Sequence, residues 1–419
     1  MKTFLENCPI LRWPLDVQQV EHQGEQLVIL IDPEGVAAEP LILPAAFLPI
    51  LSRFDGKHSL ASILTEGSRF GLSAEILQFL VAKLEDSFLL EEEKTRAKLD
   101  RTYREFIESP LRVASHAGKV YPADPKELRE ELAHYIQQTD CEFSLPKERG
   151  GVVAMISPHI DYRRGWQTYG SAYQALRYTP RPDVIFLIGT AHQPGKSLFH
   201  LTAKDFETPL GIVRTNKEIV SSLASDYGSQ RAFADEILHR REHSLELQLP
   251  FISYRYALEE MPTIVPILVG SFHHLFDCDG FPCENSEVAD FLQALAEQLK
   301  ALKASNQRIL FYGGVDLAHV RQHFGDTVRV SETGLPEIER RDRELLAAIL
   351  SGDEKKLFMH MAEDRDQRRI CGYPSVYTML GAMRRAGYQL KGTEIEYRQS
   401  VDPMNDCIVT YASAYWTSH

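Results

Sequence analysis

The sequence lacks any apolar run long enough to cross a bilayer. About 18 consecutive apolar residues are needed for a transmembrane helix, whereas apolar stretches such as residues 184–188 have the length of a buried strand. The N-terminal segment MKTFLENCPILRWPLD carries Glu6 where the apolar part of a secretion signal would lie. The sequence therefore predicts a protein with neither membrane spans nor a secretion signal.

Cysteine is scarce, and acidic residues outnumber basic ones. Six Cys with no C-x-x-C spacing suit a reducing compartment better than a disulfide framework. The chain has 46 Lys and Arg against 59 Asp and Glu, a formal net charge of −13. A general electrostatic attraction to phosphate backbones therefore has no support. We expect a cytoplasmic protein whose partners include neither nucleic acid nor a membrane.

The chain is long enough for two or three domains, since it has 419 residues, of which 44% are hydrophobic. Residues 1–92 predict a small α+β domain: a strand within HQGEQLVILIDPEG, three short helices, the last capped by Ser73, and a wing strand at 88–90. This order is the outline of a winged helix, and an ordinary three-helix domain is the alternative. The charged residues 93–112 predict a solvated linker helix.

From residue 113 to residue 419, apolar strands alternate with amphipathic helices. The strands are predicted within GVVAMISPH, PDVIFLIGTAH, PTIVPILVG and QRILFYGGVDLAH. Strands of this kind are typical of a mostly buried sheet with helices on both faces. The second domain is therefore predicted to be α/β.

Three of these strands end in clusters that contain histidine. The clusters hold His159 with Asp161, then His192, and finally Asp316 with His319. In open α/β sheets, ligands bind beyond the carboxyl ends of the strands. Each histidine alone is consistent with a hydrogen-bonded loop residue, but their shared placement favours a site. Imidazole binds iron, copper or zinc, and we interpret His159 and His192 as metal ligands.

A fourth histidine, His243, follows Glu242 just before another apolar run. Its ordinary pKa of about 6.5 suits proton transfer near neutral pH, so we predict an acid/base role for it. Glu242 either orients this ring or is solvated. His319 completes the predicted catalytic set.

Two resemblances extend this interpretation. Residues 54–59 (FDGKHS) and 84–90 resemble the small winged-helix domain of the pyrroloquinoline quinone peptide chaperone, which implies peptide binding by the first domain. Residues from about 113 onward resemble the Memo family, protein B of the AmmeMemoRadiSam system. The motifs, in order, are AGKVYP (117–122), Pro158-His159, GTAH (189–192), ETPLG (207–211), EHSLELQLPF (242–251), Asp316 with His319, and Cys371-Gly372-Tyr373.

The Memo family resembles class III extradiol dioxygenases, which implies a mixed sheet flanked by helices, with non-haem iron at the strand ends. The resemblance implies metal ligation by His159 and His192 and an acid/base or substrate-binding role for His243. Fe(II) is the expected metal, with copper or zinc as alternatives. The implied activity is a metal-dependent oxidoreductase acting on a small-molecule or peptide-borne substrate, with radical-SAM and AMMECR-type proteins as partners.

The sequence departs from the family pattern at two positions. Several members carry a thiol where this chain has Ala318, and Asp161 stands where glycine is usual. We therefore expect Asp161 or Asp316 to supply a third ligand, which gives the 2-His-1-carboxylate set that suits Fe(II). Strand alternation puts Asp316 on the same side as position 318. Cys371 is interpreted as a buried structural thiol.

Several alternatives stay open. Asp161 can instead pair with Arg163 or Arg164 in a loop. A group of arginines either binds an anionic substrate or lies on charged helix faces: Arg321, Arg329, Arg340 and Arg341. The whole protein can also be a scaffold that binds partners without catalysis, or a zinc hydrolase, since zinc uses the same ligands.

Overall fold

The computed structural model describes residues 2–37, 39–139, 151–256, 260–330 and 334–418. The chain divides into two compact units, Met1–Glu108 and Ser109–His419. The division falls within the stretch 93–112 that the sequence predicts to be a linker. The charged helix of that stretch belongs to the first unit.

The first unit contains a three-stranded antiparallel sheet and short helices. Gln23 and Gly24 both have positive φ, 53° and 81°, as the two-residue turn between the first two strands requires. The sheet has the order β1-β2-β3. The elements are β1 Asp16–His22, β2 Glu25–Ile31, β3 Leu41–Pro44, α1 Lys2–Leu5, α2 Leu48–Leu51, α3 Leu60–Gly67, α4 Ala74–Asp86 and α5 Glu93–Glu108.

The last of the three predicted short helices begins where the sequence predicts. The Ser73 side chain caps α4 by accepting the backbone N–H of Ile76, and the leucines of one face of α4 are buried. The predicted wing strand over 88–90 is wrong as a strand: only an isolated bridge between Leu90 and Leu11 forms there. The first unit is therefore α+β, but its wing is reduced to one residue pair.

The second unit is built on an eight-stranded mixed sheet in the order β12-β14-β5-β11-β6-β10-β7, with β13 also paired to β14. The four strands β5, β11, β6 and β10 run parallel, and β14 and β7 flank them antiparallel. A small sheet, β4-β8-β9, stands apart. The strands are β4 Leu111–Arg112, β5 Val152–Ser157, β6 Val184–Thr190, β7 Phe199–Leu201, β8 Asp205–Thr208, β9 Gly211–Val213, β10 Thr263–Val269, β11 Ile309–Gly314, β12 His319–Val320, β13 Leu390–Asp402 and β14 Cys407–Ser418.

Helices cover both faces of this sheet, as the sequence predicts. One apolar cluster contains Phe186 and Ile188 of β6 with residues of the helices at 217–227, 286–304 and 373–385, and the other contains Ile185 and Leu187 with residues of the helices at 162–178 and 249–255. The helices are α6 Pro125–Gln138, α7 Tyr162–Tyr178, α8 Lys217–Tyr227, α9 Ser229–Phe233, α10 His243–Glu246, α11 Leu249–Arg255, α12 Ser286–Ala304, α13 Leu335–Leu350, α14 Glu354–Asp364 and α15 Tyr373–Arg385.

The parallel strands place several loops at one edge of the sheet. β5, β11 and β6 are adjacent and parallel, so the residues that follow them lie side by side. This edge is where ligands bind in open α/β sheets. Among the described helices, none combines the length and apolarity that a membrane span requires.

Candidate metal centre

His159 lies two residues beyond β5, and its side chain is almost completely buried, with 2% of its surface exposed. Its Nδ1 lies 2.9 Å from the Gly314 carbonyl oxygen at the end of β11. A carbonyl oxygen only accepts, so Nδ1 carries a proton and Nε2 is the ring nitrogen that faces the other residues of the cluster. The backbone N–H of His159 donates to Asp316 Oδ1 at 2.9 Å. Both contacts fix the direction of the ring.

His192 follows β6 and is held by Glu242, the N-cap of α10. The Glu242 carboxylate accepts the His192 backbone N–H at 3.0 Å and His192 Nδ1–H at 2.9 Å. The same carboxylate accepts the backbone N–H groups of His243 and Ser244 at 2.8 and 3.0 Å. Glu242 is therefore buried and accepts four hydrogen bonds, so it is not solvated. None of these bonds uses His192 Nε2.

The three histidine rings converge. The centroid of the His159 ring lies 5.0 Å from that of the His192 ring and 5.2 Å from that of the His243 ring. The rings of His192 and His243 stack with their centroids 4.6 Å apart. These rings line a cavity of about 310 Å³ together with Asp316 and His319. The structure thus brings together the histidines that the sequence places at separate strand ends.

A thiol completes the cluster. Cys371 lies in the turn before α15, and its Sγ is 3.3 Å from His159 Nε2. The donor atoms of His159, His192 and Cys371 all lie within 4.8 Å of one another. Cys371 is half-buried, and the turn before α15 carries it to the strand ends, so the interpretation of Cys371 as a structural thiol stays a prediction beside its place in this cluster. Gly372 permits this approach: a Cβ at that position would lie 2.6 Å from the Asp316 carbonyl oxygen.

The charges of the cluster shift its pKa values strongly. Burial by itself raises the pKa of the Cys371 thiol, but His159 and His319 hold this pKa well below its ordinary value. Burial lowers the pKa of His159, yet the charges of Asp316 and Cys371 outweigh it and raise this pKa to about 9. The thiolate form, which is the metal-binding form of cysteine, is therefore favoured.

His192 and His243 are shifted in opposite directions. Burial lowers the pKa of His192, but the Glu242 carboxylate overrides this effect and raises it well above its ordinary value. The pKa of His243 is held well below its ordinary value by burial and by the neighbouring histidines, despite Glu242. His243 is therefore a neutral ring beside the cluster and able to accept a proton.

A buried ion pair between Arg112 and Glu246 holds α10 in place. Glu246, the last residue of α10, pairs with the Arg112 guanidinium and accepts the Tyr121 hydroxyl at 2.6 Å. Arg112 also donates to the Glu242 carbonyl oxygen at 2.9 Å. His116 Nδ1 lies 2.8 Å from Glu246, and its ring lies 5.9 Å from that of His243. The network fixes the helix that presents His243.

The carboxylates predicted as third ligands occupy other positions. Asp161 caps α7 by accepting the Arg164 backbone N–H at 3.2 Å, and it pairs with the Arg164 guanidinium. This is the loop salt bridge that the sequence leaves open as the alternative. Asp316 lies 3.7 Å from His159 Nε2, but within the described residues neither aspartate joins a group of three close donor atoms. The third donor atom close to His159 and His192 is the Cys371 sulfur.

The remaining predicted residues line the cavity without joining the donor cluster. His319 Nδ1 lies 3.1 Å from the carbonyl oxygens of Leu317 and Arg369, which holds this ring at the cavity wall. Ala318 is buried and donates its N–H to Thr410 Oγ1 at 2.9 Å. The catalytic role predicted for His319 stays a prediction.

Some residues of the site were given no role from the sequence. Glu246 and Tyr121 lie in motifs quoted for the family resemblance, EHSLELQLPF and AGKVYP, but Glu246 bonds Arg112 and Tyr121, which are both more than 100 residues away in the sequence. The signal for Cys371 was present, since it stands in the motif Cys371-Gly372-Tyr373 directly before a helix. A thiol on a distant segment was not connected with the histidines.

The donor set fits a transition metal ion. His159 and His192 each have Nδ1–H bonded to an acceptor, which is the arrangement found around metal-ligating histidines. Two imidazole nitrogens and a thiolate suit iron, copper or zinc and are poor ligands for magnesium or calcium.

Sequence comparison with known proteins identifies the same family in the family model and in the curated relatives. A family model described as Memo-like protein matches residues 112–415. A MEMO1 family protein of Aquifex aeolicus is 24% identical over 392 residues, which cover 93% of this chain and 95% of that protein. A MEMO1 family protein of Methanococcoides burtonii is 28% identical over 306 residues, 72% of this chain and 98% of the relative.

Proposed function

The chain belongs to the Memo family, and from this premise we propose that it is a metal-dependent oxidoreductase. We assign the metal ligands to His159, His192 and Cys371. One observation carries the proposal: the three donor atoms come from separate loops and lie within 4.8 Å of one another. The membership alone specifies no reaction, so the activity is inferred from this geometry.

The metal proposed is iron(II), with copper as the second choice. The pair of histidines is the one expected for Fe(II), but a thiolate replaces the carboxylate of the usual facial triad. A redox-active ion held by His159, His192 and Cys371 would supply electron transfer and would polarise an oxygen of the substrate. Zinc accepts the same donors and would make the protein a hydrolase instead, so metal identity separates these two functions.

The residues around the donors bind, orient and exchange protons. Glu242 fixes the His192 ring through its Nδ1–H, and the Gly314 carbonyl oxygen does the same for His159. The low pKa of His243 keeps its ring unprotonated, and the ring stacks on His192, so in this proposal a ring nitrogen is open to accept a hydrogen bond from a substrate hydroxyl and, as that hydroxyl ionises, its proton. His319 lines the same cavity and positions the substrate.

The substrate and partners are proposed more broadly. A cleft of about 990 Å³ opens beside His192 and Cys371 and accommodates a small molecule or the side chain of a bound peptide. Radical-SAM and AMMECR-type proteins as pathway partners, peptide binding by the first unit, and a cytoplasmic location are proposals that rest on resemblance and composition.

Metal analysis of anaerobically purified protein tests the proposal. We expect near-stoichiometric iron or copper in the wild type and in the control Cys283→Ser, which removes another half-buried thiol. Cys371→Ser and His192→Ala should lose the metal. Oxygen uptake with Fe(II) restored then reports redox activity.

The other outcomes decide against the oxidoreductase. Tightly held zinc without oxygen uptake would favour the hydrolase. Absence of metal from wild type and variants alike would refute the proposal and favour a scaffold that binds partners.

A further inference from the structure

The 990 Å³ cleft beside the metal centre has a wall of arginines. It is also lined by apolar side chains, among them Phe272, Ile338 and Tyr373. Four of its arginines are paired with carboxylates: Arg341 with Asp364, Arg365 with Asp277, Arg368 with Asp342, and Arg369 with Asp326. The positive charge of each of these four arginines is therefore compensated by an aspartate of the protein.

Arg321 is the exception. It follows β12 and lines the same cleft as Cys371 and His192. Within the described residues, its guanidinium forms no hydrogen bond or ion pair, and its Nε is buried without a partner. Its charge helps to lower the pKa of Asp326, but within the described residues no carboxylate forms an ion pair with its guanidinium, which is unexpected for a partly buried cation in a chain with a net charge of −13.

The backbone of Arg321 is strained. Its φ is 92° and its ψ is −176°, a region that essentially only glycine occupies. Contacts of its main chain hold it there: its N–H donates to Asp326 Oδ2 at 2.7 Å, and its carbonyl accepts the Phe324 N–H at 2.9 Å. Asp326 is itself fixed by Arg369 at 2.8 Å. Glycine would adopt this backbone conformation without strain. The arginine side chain at this position therefore costs backbone conformational energy.

An unpaired guanidinium in a cleft recognises an oxyanion. Its planar fork matches the two oxygens of a carboxylate or phosphate, and a partly buried setting strengthens the pairing. The other arginines that the sequence singles out do not have this setting. Arg340 is exposed and pairs with Glu337 and Glu344, and Arg341 pairs with Asp364.

We propose that Arg321 binds a carboxylate or phosphate group of the substrate, so that the substrate of this centre is a small anionic molecule with an apolar part. The anionic group lies against Arg321, and the apolar part lies along Phe272 and Tyr373 toward Cys371. The assignment of substrate class rests on the proposed function, but anion binding by Arg321 does not require a metal.

Calorimetric titration of the full, metal-free chain with inorganic phosphate and, separately, with succinate tests the proposal. We expect at least one of the two anions to bind the wild type and to lose about tenfold or more in affinity in Arg321→Met, since a hydrogen bond to a charged group is lost. Arg398→Met removes the same charge from an exposed position on β13, outside the cleft, and should bind as the wild type does. The anion that binds more tightly identifies the group.

Arg321→Gly separates function from structure. This variant relieves the backbone strain, so its melting temperature should equal or exceed that of the wild type while anion binding is lost. Unchanged binding in Arg321→Met and Arg321→Gly, or binding of neither anion by the wild type, would overturn the proposal. Metal content of Arg321→Met should match the wild type. A wild type that holds no metal when purified anaerobically, but binds anions through Arg321, would refute the proposed function and leave this site intact.

Discussion

Replacing Glu242 by Gln should disturb both the stability of the second unit and the metal centre. The Glu242 carboxylate accepts four hydrogen bonds, from His192 N–H, His192 Nδ1–H, His243 N–H and Ser244 N–H, at 2.8–3.0 Å. A glutamine has one oxygen in place of two and turns its amide N–H₂ toward a donor. At least one charge-assisted bond is therefore lost, and the side chain is buried.

The magnitude follows from these contacts. Hydrogen bonds to charged groups contribute about 1.5–3 kcal/mol each, so Glu242→Gln should lower the free energy of unfolding by about 2–4 kcal/mol. The pKa of His192, which Glu242 raises well above its ordinary value, should fall toward that value. Metal affinity should fall by about 10–100-fold, as is typical when a partner of a ligating histidine is removed.

Chemical denaturation of the metal-free protein and NMR titration of His192 measure these effects. Asp124→Asn is the matched control, because Asp124 caps α6 by accepting two backbone N–H groups, and asparagine caps equally well. Its free energy of unfolding should change by less than about 0.5 kcal/mol. A Glu242→Gln protein with wild-type stability and an unchanged His192 titration would refute the reasoning.

The remaining predictions concern other parts of the chain. Asp161→Asn should leave metal content unchanged, because this side chain caps α7, and loss of metal on elemental analysis would restore Asp161 as a ligand. His239 is buried and its pKa is lowered to about 3 by burial, so below about pH 6.5 the unfolded chain takes up a proton that the folded chain refuses. The free energy of unfolding should therefore fall with acid by up to about 1.4 kcal/mol per pH unit, and His239→Gln should flatten this slope in denaturation curves from pH 7 to pH 5. Arg12→Met leaves Asp32 buried without its partner, so hydrogen exchange within residues 2–108 should show a loss of about 3–5 kcal/mol of stability.

The sequence predicts the sheet and most of the histidine cluster because these depend on local patterns. Apolar strands with histidines directly after them give both the buried sheet and the edge at which His159 and His192 meet. The alternation of strands and helices needs no knowledge of distant contacts. His243 could be connected with them only through the family resemblance.

The third donor was missed because it depends on a long-range packing detail. Cys371 reaches the strand ends only because Gly372 lets the turn before α15 approach the chain at Asp316. Asp161 illustrates the opposite case: its position near His159 suggested ligation, but a helix that begins at the next residue uses its carboxylate as a cap. Competition between capping and ligation is decided by backbone direction, which spacing does not reveal.

Under the proposed function, the separation of the three donors along the chain sets when a metal ion can bind. His159 and Cys371 are 212 positions apart in the sequence, so a ribosome must release most of the second unit before the thiolate can join the imidazoles. A nascent or truncated chain that stops before α15 carries the two histidines but lacks the thiolate. Retention of a metal ion would thus report that the second unit has completed its fold, and ions offered during synthesis would find an incomplete set of donors.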